Sequence, residues 1–247
     1  MTIARTWRFD MKLSAPIPRL KSQARSMSRS EGIPLHEALD RIARREGFKA
    51  WSLLVNRALS SQHSKTLLAE LRSGDLALIG ARPYQGKTRL CLELIVAAMK
   101  AGRRGVFFSL EYNPSAIADS FVAIGESMET FQDRFEFNDS DDICAPYIVE
   151  RLAAAPADTL VVIDYLQLLD QKRTNPSLSE QVVSLKSFAR ERGLIMVCIS
   201  QIRRSYDAAV QPTPGLADVH LPNPLDTTLF NRMYFLNNGE MRAVLPG

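Results

Sequence analysis

The residues Gly80-Ala81-Arg82-Pro83-Tyr84-Gln85-Gly86-Lys87-Thr88 combine a glycine turn, a lysine and a hydroxyl side chain at the spacing of a phosphate-binding loop. An apolar run at 76–79 precedes them, and a helical pattern from 88 to 101 follows. Backbone N–H groups of such a loop, with those at the start of the next helix, surround phosphate oxygens. Gly86 lets the main chain approach closely, Lys87 reaches the β- and γ-phosphates, and Thr88 offers its hydroxyl to magnesium. The expected nucleotide contacts run from Gly80 through Ala81, Arg82, Pro83, Tyr84, Gln85, Gly86, Lys87 and Thr88 to Arg89.

This chemistry needs a carboxylate beside the hydroxyl. Asp164 follows the apolar run Leu160-Val161-Val162-Ile163, so it is expected where a strand meets the crevice, holding magnesium with Thr88. Glu111 follows Val106-Phe107-Phe108-Ser109-Leu110 and is the candidate general base. The alternative for Glu111 is a cap on the helix beginning near Pro114. Gln201, after the run 194–200, is placed to sense the γ-phosphate.

These residues need a scaffold, and the pattern supplies one. Apolar runs at 76–79, 106–110, 160–163 and 194–199 alternate with helical periodicity at 88–101, 114–127, 142–155 and 177–192. Continuous apolar strands between helices indicate a parallel sheet covered on both faces. At the C-terminus, residues 229–236 and 241–245 flank Asn238-Gly239, which reads as a β-hairpin. The first third differs. Three short amphipathic helices are expected at 18–30, 34–47 and around Trp51-Leu54-Val55-Ala58, with a linker at 60–64. Residues 1–72 carry 14 Lys and Arg against 6 Asp and Glu, whereas the whole chain is only +4. That asymmetry fits either a polyanionic partner or a solvated helical face.

Composition narrows the rest. With 247 residues, 46% hydrophobic and 23% charged, the chain is not a disordered or collagenous one. Cys91, Cys144 and Cys198 are scattered within apolar stretches, which suits reduced thiols in a cytoplasmic protein. There is no apolar run of the roughly 18 residues a membrane span needs, so no membrane partner is expected.

Five blocks in order carry a specific resemblance. They are Gly74-Asp75-Leu76, the loop ending Gly86-Lys87-Thr88, Phe108-Ser109-Leu110-Glu111, Val162-Ile163-Asp164-Tyr165-Leu166-Gln167-Leu168, and Ser200-Gln201-Ile202-Arg203-Arg204-Ser205. Together they resemble the RecA-like C-terminal motor domain of DnaB-family replicative helicases over about residues 72–206. The resemblance implies an α/β P-loop NTPase with a central, mostly parallel sheet, a C-terminal β-hairpin and a small N-terminal helical extension. It divides the chain into a basic extension and linker at 1–64 and a RecA-like ATPase domain at 65–247. It implies ATP and Mg2+ as ligands, with Lys87, Glu111 and Gln201 as catalytic residues and Thr88 and Asp164 at the metal. It also implies a homo-oligomer acting on nucleic acid, DNA in preference to RNA. Lys172, Arg173 and Arg204 are the nucleic-acid candidates. The chain departs from the family pattern in two ways. Its N-terminal segment is a short basic one, and the Lys-x-Arg pair that reaches a neighbour's ATP is missing from the hairpin. The functional expectation is an ATP-hydrolysing motor or remodeller. The alternative is a non-translocating regulatory ATPase whose nucleotide state controls assembly or partner-protein binding through the N-terminal helices.

Overall fold

The computed structural model describes residues 13–83, 85–203, 205–206, 214–221, 223, 225–237 and 240–244. Tyr84, Arg204 and the Asn238-Gly239 turn lie outside them. The chain divides into two compact units, the first ending at Leu59 and the second beginning at Ser60.

The first unit contains α1 (Ile17–Glu31), α2 (Leu35–Arg45) and the start of α3 (Trp51–Glu70). Helix α1 buries Leu20, Ala24 and Met27, the i, i+4, i+7 stripe visible in the sequence. Gly32 ends it at φ +68°, a left-handed conformation that a side chain would strain. Pro34 then fixes the entry to α2, whose Ala38, Ile42 and Ala43 close on α1 together with Leu54. Trp51 and Phe48 pack against the same cluster, so Trp51 serves the core. Residues 60–64, expected as a linker from their serine content, are helical and continue α3. Serine is a modest helix former, not a breaker.

The second unit is a seven-stranded sheet in the order β3-β2-β4-β5-β1-β6-β7. The strands are β1 (Leu76–Ala81), β2 (Gly105–Ser109), β3 (Phe135–Asn138), β4 (Leu160–Asp164), β5 (Ile195–Gln201), β6 (Arg232–Asn237) and β7 (Glu240–Val244). All neighbours are parallel except β6 and β7, which form the antiparallel hairpin. Helices α4 (Lys87–Lys100), α5 (Pro114–Ile124), α6 (Ala145–Arg151) and α7 (Leu178–Arg192) make the crossovers and cover. Side chains alternate between two cores, as a pleated strand requires. Leu76, Leu78, Val161, Ile163, Met196 and Cys198 enter one core, while Ala77, Ile79, Leu160, Val162, Val197 and Ile199 enter the other. Both faces being covered, the strands read as unbroken apolar runs.

Three local differences from the sequence pattern have physical causes. Edge strand β3 is only four residues long and half-buried, so it carries too little apolar signal to stand out. Helix α6 is shorter than the 142–155 periodicity, because Pro146 belongs in a first turn and fixes where it can start. Cys91 and Cys198 are buried, whereas Cys144 is partly accessible at the α6 N-cap.

Candidate functional site

Parallel register brings the expected residues to one edge of the sheet. Ala81 lies opposite Gln201 on neighbouring strands, and Ser109 lies opposite Asp164. Strand β5 runs between β1 and β4, so the phosphate-loop strand and the Asp164 strand are two positions apart with Gln201 between them.

Gly80 and Ala81 are the last two residues of β1, and the loop proper spans 82–86. Gly80 is glycine for a packing reason. A Cβ there would sit 2.8 Å from two ring carbons of Phe235 and 3.1 Å from Ile202. Gly86 has a different reason: its φ of +81° is left-handed, and among the described residues, its chain neighbours and the helix's own nearby backbone aside, no atom lies within 4 Å of where a Cβ would stand. Position 86 thus combines a glycine-only backbone with open space for a ligand. Gly86 caps α4, with neither a capping side chain nor an acidic residue in the first turn. The leading N–H groups of α4 therefore keep their capacity for an anion.

Lys87 is only 9% exposed and makes no hydrogen bond among the described residues. Thr88 Oγ1 donates to Asp164 Oδ2 at 2.8 Å. Asp164 is fully buried, and its Oδ1 has no hydrogen-bond partner among the described residues. Burial pushes its carboxyl up to about 6, against the Thr88 hydrogen bond and the Lys87 charge, with Glu111 adding to the rise. The nearest phenols respond similarly. Burial raises Tyr112 against a hydrogen bond with Thr88, and raises Tyr165 with help from Glu111 and Asp164.

Glu111 is exposed, and its N–H donates to Ser109 Oγ at 3.1 Å. The α5 cap is Asn113, whose Oδ1 accepts from Ala116 N–H at 2.8 Å, so Glu111 has no capping duty. Gln201 is half-buried, and its side chain makes no hydrogen bond among the described residues. Its carbonyl accepts from His220 N–H at 2.7 Å. The Arg89 guanidinium is held by Glu93 at 2.9 Å and by the Ala123 carbonyl at 3.4 Å. Pro83 is exposed at the loop surface, Arg82 and Gln85 are half-buried, and Tyr84 is outside the described residues.

The nucleic-acid candidates have separate fates. Lys172 pairs with Asp142 at 2.6 Å, Arg173 is exposed, and Arg204 lies outside the described residues. A buried amide anchors the 170–176 loop. Gln181 Nε2 donates to the carbonyls of Leu169 at 2.5 Å and Pro176 at 2.8 Å, while its Oε1 accepts from Ala145 N–H at 2.9 Å. Gln167 does a similar job, donating to Ser200 Oγ at 3.2 Å and to the His220 carbonyl. Neither glutamine's role stands out in the sequence. The only signals are that Gln167 sits inside the Asp-Tyr-Leu-Gln-Leu string and that Gln181 is polar on an apolar helix face.

The chain is similar to known proteins. Residues 143–221 match the DnaB-like helicase C-terminal domain. That DnaB-like stretch holds Asp164 and Gln201 but begins after the phosphate loop. The chain is 26% identical over 235 residues to a probable replicative DNA helicase of Trieres chinensis, covering 74% of this chain and 52% of that protein. It is 25% identical over 177 residues to the replicative DNA helicase DnaB of Helicobacter pylori, covering 59% and 36%. The chain thus spans about half or less of these DnaB-like relatives. Among solved structures it resembles an isolated ATPase domain, with a TM-score of 0.56, 19% identity, and 68% and 72% coverage. It also resembles a DnaB-like replicative helicase studied with its interactions with primase, with a TM-score of 0.56, 17% identity, and 88% and 65% coverage. The fold is RecA-like.

Proposed function

We infer that the chain binds and hydrolyses ATP as a DnaB-helicase-like motor or remodeller that acts on DNA as an oligomer. One observation carries the reading: a fully buried aspartate with an orphaned oxygen, hydrogen-bonded to the hydroxyl that follows a buried lysine at an uncapped helix start. The donor set suits magnesium, which takes one or two protein ligands and completes its shell with water and phosphate oxygens. Among the described residues no three His, Cys, Asp or Glu gather into a metal site, so Asp164 and Thr88 are the protein's share. Magnesium, when bound there, neutralises charge on the β- and γ-phosphate oxygens.

The protein's own part is positioning. N–H groups at 86–89 hold the phosphates, and Lys87 supplies a charge undiluted by water. Glu111 is exposed two residues beyond Ser109, which the register sets opposite Asp164, and serves as the general base for an attacking water. Gln201, at the same edge, offers its amide to the γ-phosphate. Nucleic acid is contacted by the 170–176 loop and the basic N-terminal segment. Lys172 is available for this because its ion pair with Asp142 is open to solvent and exchanges readily.

The test is ATP turnover by the purified chain with single-stranded DNA, duplex DNA or RNA added in turn. Stimulation by DNA supports the reading. Unchanged turnover in all three, with no retention of labelled DNA at low salt, removes the DNA part. A change in mass on adding ATP and magnesium, without stimulation by DNA, would favour the regulatory alternative.

A further inference from the structure

Among the described residues of the N-terminal unit, the carboxylates are engaged internally and most of the cations form no ion pair. Between residues 13 and 55 there are four carboxylates. Glu31 and Glu37 both hold Arg41 at 2.8 Å. Asp40 accepts from Trp51 N–H at 2.9 Å, and Glu46 accepts from Ser14 N–H at 2.8 Å. The same stretch contains eight Lys and Arg. Apart from Arg41, all of them (Arg19, Lys21, Arg25, Arg29, Arg44, Arg45 and Lys49) are exposed and form no ion pair among the described residues.

These cations are ordered in space. Lys21, Arg25 and Arg29 recur every four residues along α1, the side away from buried Leu20, Ala24 and Met27. A helix rises 1.5 Å per residue, so the three charges step about 6 Å apart along one line. Duplex DNA carries one negative charge per about 1.7 Å of its axis, so a row of cations meets a dense line of opposite charge along its whole length. The contact between Ser14 and Glu46 brings the C-terminal end of α2, with Arg44 and Arg45, to the start of α1. Aromatic side chains, by contrast, are withdrawn: Phe48 and Trp51 pack into the small core. Single strands are held largely by stacking bases on aromatic rings, and this surface presents none among the described residues.

We propose that the Lys21–Arg25–Arg29 stripe of α1 is a sequence-independent docking surface for the phosphate backbone of duplex DNA. This rests on the reading of the chain as a DNA-acting protein, but it needs no nucleotide and places the contact on the helical unit. The purified full chain is titrated into a fluorescent 20-base-pair duplex without nucleotide, from 50 to 200 mM salt, beside K21Q/R25Q/R29Q. Glutamine keeps the side-chain stems and a good helix propensity, and circular dichroism checks that helix content is unchanged. Each lost phosphate contact flattens the log–log salt dependence by about 0.9, so three flatten it by about 2.7. Between 50 and 200 mM salt that removes about 40-fold of the weakening. A second variant, R44Q/R45Q, should flatten it further in the same direction.

An unchanged slope in the folded triple variant overturns the proposal, and so does tighter binding to single strands than to the duplex. If the stripe serves an acidic protein instead, the triple variant will bind duplex as well as the parent does, which also overturns it. The two readings separate cleanly. Lys87→Ala should keep the nucleotide-free duplex binding while abolishing turnover. Duplex binding lost in the parent, with turnover still stimulated by single strands, would sink the stripe and leave the motor standing.

Discussion

Asp164→Asn should make the nucleotide-free protein more stable at pH 8, although it removes an expected magnesium ligand. Burial raises the Asp164 carboxyl from 3.8 to about 6. Each unit corresponds to 1.36 kcal/mol, so ionising the group in the folded state costs about 3 kcal/mol. The folded chain holds a proton that the unfolded chain has released between pH 4 and 6, and stability falls as pH rises through that window. Below pH 4 both states are protonated and the cost disappears; above pH 6 it is present in full. Asparagine resembles the protonated acid and can still accept from Thr88, so the gain should approach about 3 kcal/mol at pH 8 and vanish at pH 4. In a domain of this size 1 kcal/mol moves the Tm by about 2–4 °C, which puts the shift near 6–12 °C. Thermal unfolding followed by circular dichroism at pH 4, 6 and 8 reads it directly. Saturating magnesium and ATP should narrow the gap, because a ligand at 100 times its Kd stabilises the parent by about 2.7 kcal/mol and the variant, which lacks the carboxylate for magnesium, by less. A variant less stable than the parent at pH 8 would refute the reasoning, as would a gap of the same size at pH 4.

Gly80→Ala should destabilise by about 1–3 kcal/mol through its clash with Phe235, and Phe235→Leu in the same chain should recover part of it, with nucleotide affinity of the folded protein unchanged. Urea unfolding and equilibrium nucleotide binding check the two halves. Glu111→Gln should retain ATP and lose about 10²–10⁴-fold in turnover, whereas Lys87→Ala should lose tight ATP binding; filter binding and phosphate release distinguish them. Gln181→Leu leaves the Leu169 and Pro176 carbonyls and the Ala145 N–H without their partner, at a cost of about 1–3 kcal/mol for each group left buried, and should speed proteolytic cleavage within 170–176.

The framework was legible because burial on both faces writes each central strand as an apolar run. The runs at 76–79 and 160–163 correspond to β1 and β4 within a residue or two. The phosphate loop was legible because its spacing encodes backbone geometry, and the φ of Gly86 is that geometry. Pairwise facts were not legible. Nothing in the string Gly80-Ala81 says that the missing Cβ makes room for a ring 155 residues away, on the strand β6 that the register lays beside β1. Nor does the 170–176 loop announce that Asp142 neutralises Lys172, or that Gln181 pins both of its ends. Strand order was also beyond reach, since an apolar run carries no record of its neighbour. It is the order β4-β5-β1 that puts Gln201 between the lysine and the aspartate.

The edge of the sheet holds three incompletely satisfied charges or dipoles side by side. Among the described residues, Lys87 is buried without a hydrogen bond, Asp164 is buried with an orphaned oxygen, and α4 begins without a side-chain cap. Each costs stability in the nucleotide-free protein, and an ordinary hydrophobic edge would be cheaper by several kcal/mol. A single anion would satisfy the helix start and the lysine but would raise the aspartate further. A single cation would satisfy the aspartate and repel the lysine. Only a ligand carrying both signs, with its negative end toward Lys87 and α4 and its positive end toward Asp164 and Thr88, relieves all three together. A magnesium-bound nucleoside triphosphate has that polarity. A bare nucleotide lacks it, so removing magnesium should weaken ATP binding in the parent and leave the affinity of Asp164→Asn for ATP nearly unchanged.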